Sequence, residues 1–139
     1  MRERSRARGW ALWVLYTWES RGTDVPLRDV LSEFRRERNI APSRRAYLET
    51  LVRAVAEHRD TIDRTLQDAL TNWKLDRLSA IDRNVLRLAA AEMLYIDDVP
   101  RPVSIREAIR LAEKYGTAES PRFVNGVLDA LLRRLERRS

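Results

Sequence analysis

Arginines are the residues of this chain whose type and spacing suggest chemistry, and that chemistry is the binding of phosphate. Among 139 residues, 27 are Lys or Arg and 21 are Asp or Glu, so the net charge is +6. Near the N-terminus, arginine occupies every second position, at Arg2, Arg4, Arg6 and Arg8. A guanidinium group binds phosphate through parallel hydrogen bonds and also stacks on bases. The N-terminus therefore predicts an arm that contacts a polyanion.

Two tryptophans follow these arginines at helical spacing. Arg6, Trp10 and Trp13 lie on one side of the predicted first helix, away from the apolar stripe that contains Leu15. Aromatic rings beside arginines suit single-stranded RNA, because the cations neutralise phosphates while the flat rings stack on unpaired bases. The alternative is that Trp10 and Trp13 pack beneath the next helix.

A second candidate site is the segment 120–126, with the sequence SPRFVNG. Ser120 predicts a helix N-cap, and the free amides of a helix N-terminus bind phosphate. Arg122 adds a positive charge, and Phe123 either stacks on a base or packs in the core. Gly126 costs about 1 kcal/mol of helix stability relative to Ala. It therefore predicts the close approach of another backbone or of a ligand.

Residues for catalysis or metal binding are scarce. The absence of cysteine excludes disulfides, zinc fingers, iron–sulfur clusters and thiol catalysis. A single histidine, His58, excludes multi-histidine metal sites and histidine-based triads within one chain. The adjacent Asp97 and Asp98 indicate a helix end or a turn. We predict that the protein is not an enzyme and has no catalytic residues, cofactor or metal.

Helical periodicity accounts for most of the chain and predicts an all-α protein. No sustained period-two alternation indicates strands. We expect six or seven helices in two packed bundles that form a single domain over residues 1–139. The division falls between an N-terminal subdomain, 1–72, and a C-terminal subdomain, 73–139. No apolar run is long enough to span a membrane, and no signal peptide is evident, so we expect a cytoplasmic protein.

Serines mark several predicted helix starts. The helix that follows Ser79 is apolar nearly all round and should lie at the centre of the core. The predicted caps are Ser43, Ser79 in a capping box with Asp82, and Ser104 in a capping box with Glu107.

Several segments match one known family. They are residues 6–8 (RAR), 15–18 (LYTW), 81–83 (IDR), 85–89 (VLRLA), 103–105 (VSI) and 123–129 (FVNGVLD). On these segments the chain resembles the NusB family of bacterial transcription antitermination factors over nearly its whole length. The resemblance implies a small all-helical protein built from two bundles.

The resemblance also implies an RNA-binding function. NusB proteins bind the boxA element of ribosomal RNA leader transcripts together with NusE, a ribosomal protein of the small subunit. The pair joins an antitermination complex on RNA polymerase. Carried over, the NusE contacts map onto Tyr16 and Asp82. The RNA contacts map onto Arg6, Arg8, Glu119, Arg122 and Phe123, beside the Arg2, Arg4, Trp10 and Trp13 that the residue pattern indicates.

Two positions depart from the family pattern on or near these surfaces. Trp13 stands where Gln is usual, and Arg106 stands where Asn is usual before Glu107. These departures leave an alternative open, in which the protein is a helical interaction scaffold or a homodimer that does not bind boxA.

Overall fold

The computed structural model describes residues 2–22 and 24–138, and the side chain of Arg2, a predicted RNA contact, lies outside the described part. Over these ranges the chain forms six α-helices, one 3₁₀ turn at Leu75–Arg77 and no strand, so the all-α prediction is confirmed. The helices are α1 (Arg2–Arg21), α2 (Leu27–Arg38), α3 (Pro42–Ala69), α4 (Ala80–Tyr95), α5 (Arg101–Tyr115) and α6 (Ser120–Arg137).

Helix α4 lies at the centre of the molecule, as its sequence predicts. It packs against α1, α3, α5 and α6. Every residue from Asn84 to Met93 is buried. Consecutive positions of a helix point in all directions, so neighbours must cover α4 on every side. Apolar side chains from both halves of the chain join one core cluster around it. The subdomain boundary at residues 72 and 73 falls in the α3–α4 connection and stays a prediction.

Backbone hydrogen bonds fix Gly22 and Val25 in the connection between α1 and α2. Gly22 has a φ of +95°, which an L side chain rarely adopts. The indole of Trp18, buried at the end of α1, donates a hydrogen bond from Nε1 to the carbonyl of Val25 at 2.8 Å. The carbonyl of Val25 therefore satisfies the polar atom of a buried ring.

The predicted helix caps have mixed outcomes. Only the Ser79 half of the predicted capping box is confirmed. Ser79 Oγ accepts a hydrogen bond from the amide of Asp82 at 3.2 Å, whereas Asp82 Oδ1 has no hydrogen-bond partner within the described chain. The cap at Ser43 is wrong, because α3 already begins at Pro42, whose fixed φ suits the first helical turn. The cap at Ser120 is also wrong. Ser120 is the first residue of α6, and its Oγ accepts a hydrogen bond from the amide of Thr117 at 3.0 Å.

The capping box predicted at Ser104 is wrong for a reason that lies in the tertiary structure. Helix α5 begins at Arg101, so Ser104 and Glu107 stand inside the helix, and both are buried. The hydroxyl of Ser104 donates to Glu92 Oε1 at 2.6 Å instead of capping a helix.

Glu92 is the hub of a buried polar network that joins four helices. Its side chain is 2% exposed, and the whole of Arg8 is 6% exposed. Arg8 Nε donates to Glu92 Oε2 at 2.8 Å, and Arg8 Nη1 donates to Glu107 Oε1 at 2.8 Å. Tyr47 on α3 also donates its hydroxyl to Glu92, as Ser104 does from α5. Buried charges are tolerated only when they are paired in this way.

A second network braces the opposite end of α4. Arg87 donates two hydrogen bonds to Asp63 on α3, at 2.8 and 3.1 Å, and one to Glu19 on α1 at 2.6 Å. Arg83 shares Glu19, with Nε 3.0 Å from Oε2, and donates to the carbonyl of Leu78 at 2.5 Å. The two arginines therefore hold α1, α3 and the α3–α4 connection against α4.

Truncation of Arg8 should destabilise the protein strongly. Arg8→Ala leaves the carboxylate of Glu92 buried without its cation, which should lower the free energy of unfolding by about 3–5 kcal/mol. Urea unfolding followed by circular dichroism measures this change. Arg6→Ala is the matched control, because Arg6 is exposed on the same helix and its loss should cost about 0.5 kcal/mol or less. Equal losses in the two variants would contradict a stabilising role for the network.

Acid should weaken the fold through Glu19 and Glu107. Burial by itself raises the pKa of each carboxyl. The bonds from Arg83 and Arg87 to Glu19, and those from Ser5 and the nearby arginines to Glu107, outweigh burial and hold each pKa below its ordinary value of 4.5. A carboxyl whose pKa is lowered in the folded state stabilises the fold at pH values above its pKa in the unfolded chain. This contribution is lost as the pH falls through its pKa in the folded state.

The expected result is a lower urea midpoint at pH 3 than at pH 7. Glu19→Gln should be less stable than the native protein at pH 7, and the difference should shrink at pH 3. A constant difference between the two proteins across this range would show that Glu19 does not contribute to the pH dependence.

Candidate nucleic-acid interface

A groove of about 1080 Å³ lies between α1 and α5. The ion pair between Arg8 and Glu107 joins the two helices within this groove. Its remaining lining includes cations and aromatic rings, together with the acid Glu113. The cations are Arg6, Arg38, Arg106, Arg110 and Lys114, and the rings are Trp10, Trp13 and Tyr115. This composition suits a ligand that carries both phosphates and flat bases.

The basic wall of the groove comes from α5. Arg106, Arg110 and Lys114 are spaced four residues apart, so they share one face of the helix, and all three are exposed. Arg110 Nη1 donates to Glu107 Oε2 at 2.8 Å and keeps most of its side chain in solvent. Sequence reasoning missed this wall and treated Arg106 only as a departure from the family. The regular spacing of the three cations was the available signal.

An aromatic cluster extends from α1 to α5 in the groove. Trp13 is 41% exposed, and its ring centroid lies 5.9 Å from those of Tyr16 and Tyr115, edge to face with both. Lys114 Nζ lies 5.3 Å from the centroid of Tyr115. Trp13 therefore faces outward, as its helical position predicts. Trp10 is partly buried and packs against the core, which agrees in part with the alternative prediction.

The side chains of Arg4, Arg6 and Arg8 do not form one arm, because these residues belong to α1 and point to different sides of it. Residues two positions apart on a helix are rotated by about 200°. Arg6 lines the groove, whereas Arg8 is buried against Glu92. Arg4 donates to Asp98 Oδ2 at 2.9 Å, and its guanidinium carbon lies 4.4 Å from the ring centroid of Tyr47. In this structure the free cation among the three described arginines is therefore Arg6.

The start of α6 continues the surface beyond the groove. Only residues 116–119 separate Tyr115 at the end of α5 from α6. Glu119 and Arg122 are exposed. Phe123 is half-buried and meets Trp73 edge to face, with 6.0 Å between ring centroids. Phe123 thus combines core packing with an aromatic contact near the surface.

Gly126 does not mediate close packing within this chain. A Cβ atom built on Gly126 would have no neighbour within 4 Å, and the residue is exposed. The interpretation that another backbone of the same chain approaches it is therefore wrong. The open space beside Gly126 lies one turn after Arg122.

The predicted partner residues lie on α1 and α4, two helices that pack together. Tyr16 is half-buried beside Trp13, and Asp82 lies in the first turn of α4. Arg83, the next residue, binds Glu19 one turn after Tyr16. Asp82 Oδ1 is buried and has no hydrogen-bond partner within the described chain. The ion pair therefore holds the two segments that carry Tyr16 and Asp82 together.

The described residues do not assemble a metal site. Within these ranges no group of three His, Asp or Glu side chains could hold an ion. His58 stacks on Tyr95 with ring centroids 3.9 Å apart, at a point where α3 is kinked. Its ring is thus engaged in a packing contact between α3 and α4. None of the described helices has the length and hydropathy for a membrane crossing.

Comparison with known proteins identifies the family. Residues 5–133 match the model of the NusB family. The transcription antitermination protein NusB of Trichlorobacter lovleyi is 43% identical over 128 residues, which are 92% of this chain and 89% of the relative. That of Sorangium cellulosum is 43% identical over 137 residues, which are 99% of this chain and 96% of the relative.

A solved structure with the same fold comes from a complex. NusB in a crystal structure of the antitermination factors NusB and NusE with double-stranded RNA is 32% identical and has a TM-score of 0.86. The match covers 96% of this chain and 98% of that one. The sequence and the fold agree along nearly the whole length, and the chain belongs to the NusB family.

Proposed function

We propose that this protein binds the boxA element of ribosomal RNA leader transcripts together with NusE and acts in transcription antitermination. It does so without catalysis, as one component of the complex on RNA polymerase in the cytoplasm. The observation that carries the proposal is the groove between α1 and α5, where exposed cations lie beside the exposed ring of Trp13 and the partly buried rings of Trp10 and Tyr115. Membership of the NusB family, whose relatives are named antitermination proteins, supports it.

The cations and the aromatic rings of the groove have different roles in RNA binding. Arg6, Arg106, Arg110 and Lys114 neutralise phosphates and release counterions, which supplies affinity without reading the sequence. Trp13 offers a flat ring to an unstacked base, and Trp10 offers the exposed part of its indole. The RNA then continues to the start of α6. There Arg122 adds a phosphate contact, and Glu119 offers acceptors for the amino group of a base.

The other N-terminal arginines have different roles in this proposal. Arg8 positions α1 for RNA binding from within the core, since its guanidinium is bound by Glu92 and Glu107. Arg4 reaches phosphate only if its exposed ion pair with Asp98 opens. Arg2 remains a predicted RNA contact at the first turn of α1.

NusE binds, in this proposal, to the surface formed by Tyr16 and Asp82. A carboxylate there is complementary to a basic ribosomal protein, and Tyr16 supplies apolar contact area with a polar tip. Tyr16 also contacts Trp13 in the groove, so the protein partner and the RNA lie side by side. Two basic partners joined on one RNA bind it more tightly than either does alone.

Removal of the basic wall should weaken RNA binding and its dependence on salt. The triple variant Arg106→Ala, Arg110→Ala and Lys114→Ala should reduce the slope of log affinity against log salt concentration in magnitude by about 2. This is roughly 0.7 for each lost phosphate contact. Fluorescence anisotropy with a labelled boxA RNA at several salt concentrations measures the slope.

The matched control removes the same charge from other faces. Arg28, Arg53 and Arg133 are exposed on α2, α3 and α6, and their replacement by Ala should leave the slope nearly unchanged. If both triple variants lose the same affinity, binding depends only on net charge. If neither loses affinity, the groove is not the RNA site, and the scaffold or homodimer alternative gains support.

Reversal of the charge at Asp82 should separate the two partners. Asp82→Lys places a cation against basic NusE and should weaken that complex at least tenfold in calorimetry, whereas RNA binding by the isolated protein should change little. Asp82→Asn is the control for local structure, because it keeps the shape and the backbone amide that Ser79 caps. Full affinity of Asp82→Lys for NusE would contradict the assignment of this surface.

A further inference from the structure

Trp73 is an exposed tryptophan that the groove does not include. It lies between α3 and the 3₁₀ turn and is 59% exposed. Among the described residues, the large hydrophobic side chains that are exposed are Trp13, in the groove, and Trp73. A ring that is mostly exposed gains little free energy from burial in the fold, so packing within the chain accounts for only part of its role.

The backbone around Trp73 is held in place. Gln67 near the end of α3 donates from Nε2 to the carbonyl of Trp73 at 2.8 Å. The same side chain accepts a hydrogen bond at Oε1 from the amide of Leu75 at 2.9 Å, and Leu75 is buried. The side-chain amide of Gln67 thus holds the backbone on both sides of Lys74. A ring on a clamped backbone loses less conformational entropy on binding than a ring on a free loop.

The ring of Trp73 is also held by Phe123. The two centroids are 6.0 Å apart and the planes meet at 79°, an edge-to-face contact. In this arrangement the edge of one ring covers only one face of the other, so the pair leaves broad ring faces open. Because Trp73 is the more exposed member, the open area lies mainly on the indole.

Three cations neighbour the aromatic pair along the chain. Lys74 and Arg77 follow Trp73 along the chain, and Arg122 precedes Phe123 on α6. All three cations are exposed, and the exposed acids that neighbour them along the chain are Asp76 and Glu119. Flat rings bordered by a net positive charge are the features that bind a single-stranded nucleic acid without reading its sequence.

We propose that Trp73 stacks on a base of single-stranded RNA and extends the binding surface from the start of α6 onto the α3–α4 connection. The proposal rests on the proposed function, because it continues the RNA path from the groove through Arg122 and Phe123. In this arrangement Gln67 positions the indole, and Lys74 and Arg77 lie along the phosphate backbone.

Three substitutions test the stacking. Trp73→Ala should weaken binding of a labelled boxA RNA about fivefold or more, the effect expected for the loss of one stacked base. Trp73→Leu, which keeps bulk but no aromatic ring, should lose nearly as much. Trp73→Phe should retain most of the affinity. The thermal midpoints of the variants should stay close to the native value, because the ring is largely in solvent.

The dependence on salt distinguishes stacking from charge. Trp73→Ala should lower the affinity at every salt concentration without changing the log–log slope, because no phosphate contact is lost. The triple variant of the basic wall on α5 should reduce the slope. A protein that carries both sets of substitutions should show both the lower affinity and the reduced slope. Gln67→Ala should reduce the affinity less than Trp73→Ala, because it only frees the backbone beside the ring.

Each outcome decides between the two proposals. If the native protein binds boxA RNA and Trp73→Ala binds it equally well, the stacking role is wrong and the proposed function stands. If the native protein binds no RNA, both are wrong. If Trp73→Ala and Trp73→Leu bind RNA normally but lose affinity for NusE, Trp73 belongs to the protein interface, and the inference is overturned.

Discussion

The buried carboxylate of Glu92 is the constraint on which the arrangement of the helices depends. It lies near the C-terminal end of α4 and receives hydrogen bonds from Arg8 on α1, Tyr47 on α3 and Ser104 on α5. A buried carboxylate without partners costs several kcal/mol, so these three helices must lie within hydrogen-bond distance of one point. Burial and the bond to Glu92 also raise the pKa of Tyr47, so its hydroxyl stays protonated as a donor. Apolar packing drives the collapse, and this network selects one arrangement within it.

The RNA surface follows from that arrangement. With Arg8 turned inward, the helical rotation turns Arg6 and Trp13 toward α5 and solvent. Glu107, which binds Arg8, likewise faces inward from α5, and this orients Arg106 and Arg110 toward the outer wall of the groove. The ion pair between Arg8 and Glu107 therefore orients the residues on both helices of the groove. Stability and RNA binding therefore depend on different arginines of the same helix, because Arg8 lies in the core and Arg6 lies at the surface.

The two ends of α4 carry different parts of the proposed function. At one end the Glu92 network shapes the groove. At the other, Arg83 and Arg87 bind Glu19 and so hold α1 beside the start of α4, where Asp82 lies. Arg83 also bonds the carbonyl of Leu78 in the connection that contains Trp73. The core thus places the RNA path, the partner surface and the exposed indole on one rigid frame, which suits an adapter that joins two partners.

The sequence by itself determined the features that depend on local periodicity. It predicted an all-α chain, the central place of α4, the cap at Ser79 and the outward position of Trp13, because helical spacing and local backbone bonds involve near neighbours only. Its family motifs also predicted the NusB fold. Tertiary structure decided the rest. The same arginine pattern contains a buried Arg8 and an exposed Arg6, and Ser104 matches a capping box yet bonds Glu92. A local pattern specifies the face on which a polar side chain lies, but its partner comes from a distant part of the chain, and only packing of the helices brings the two together.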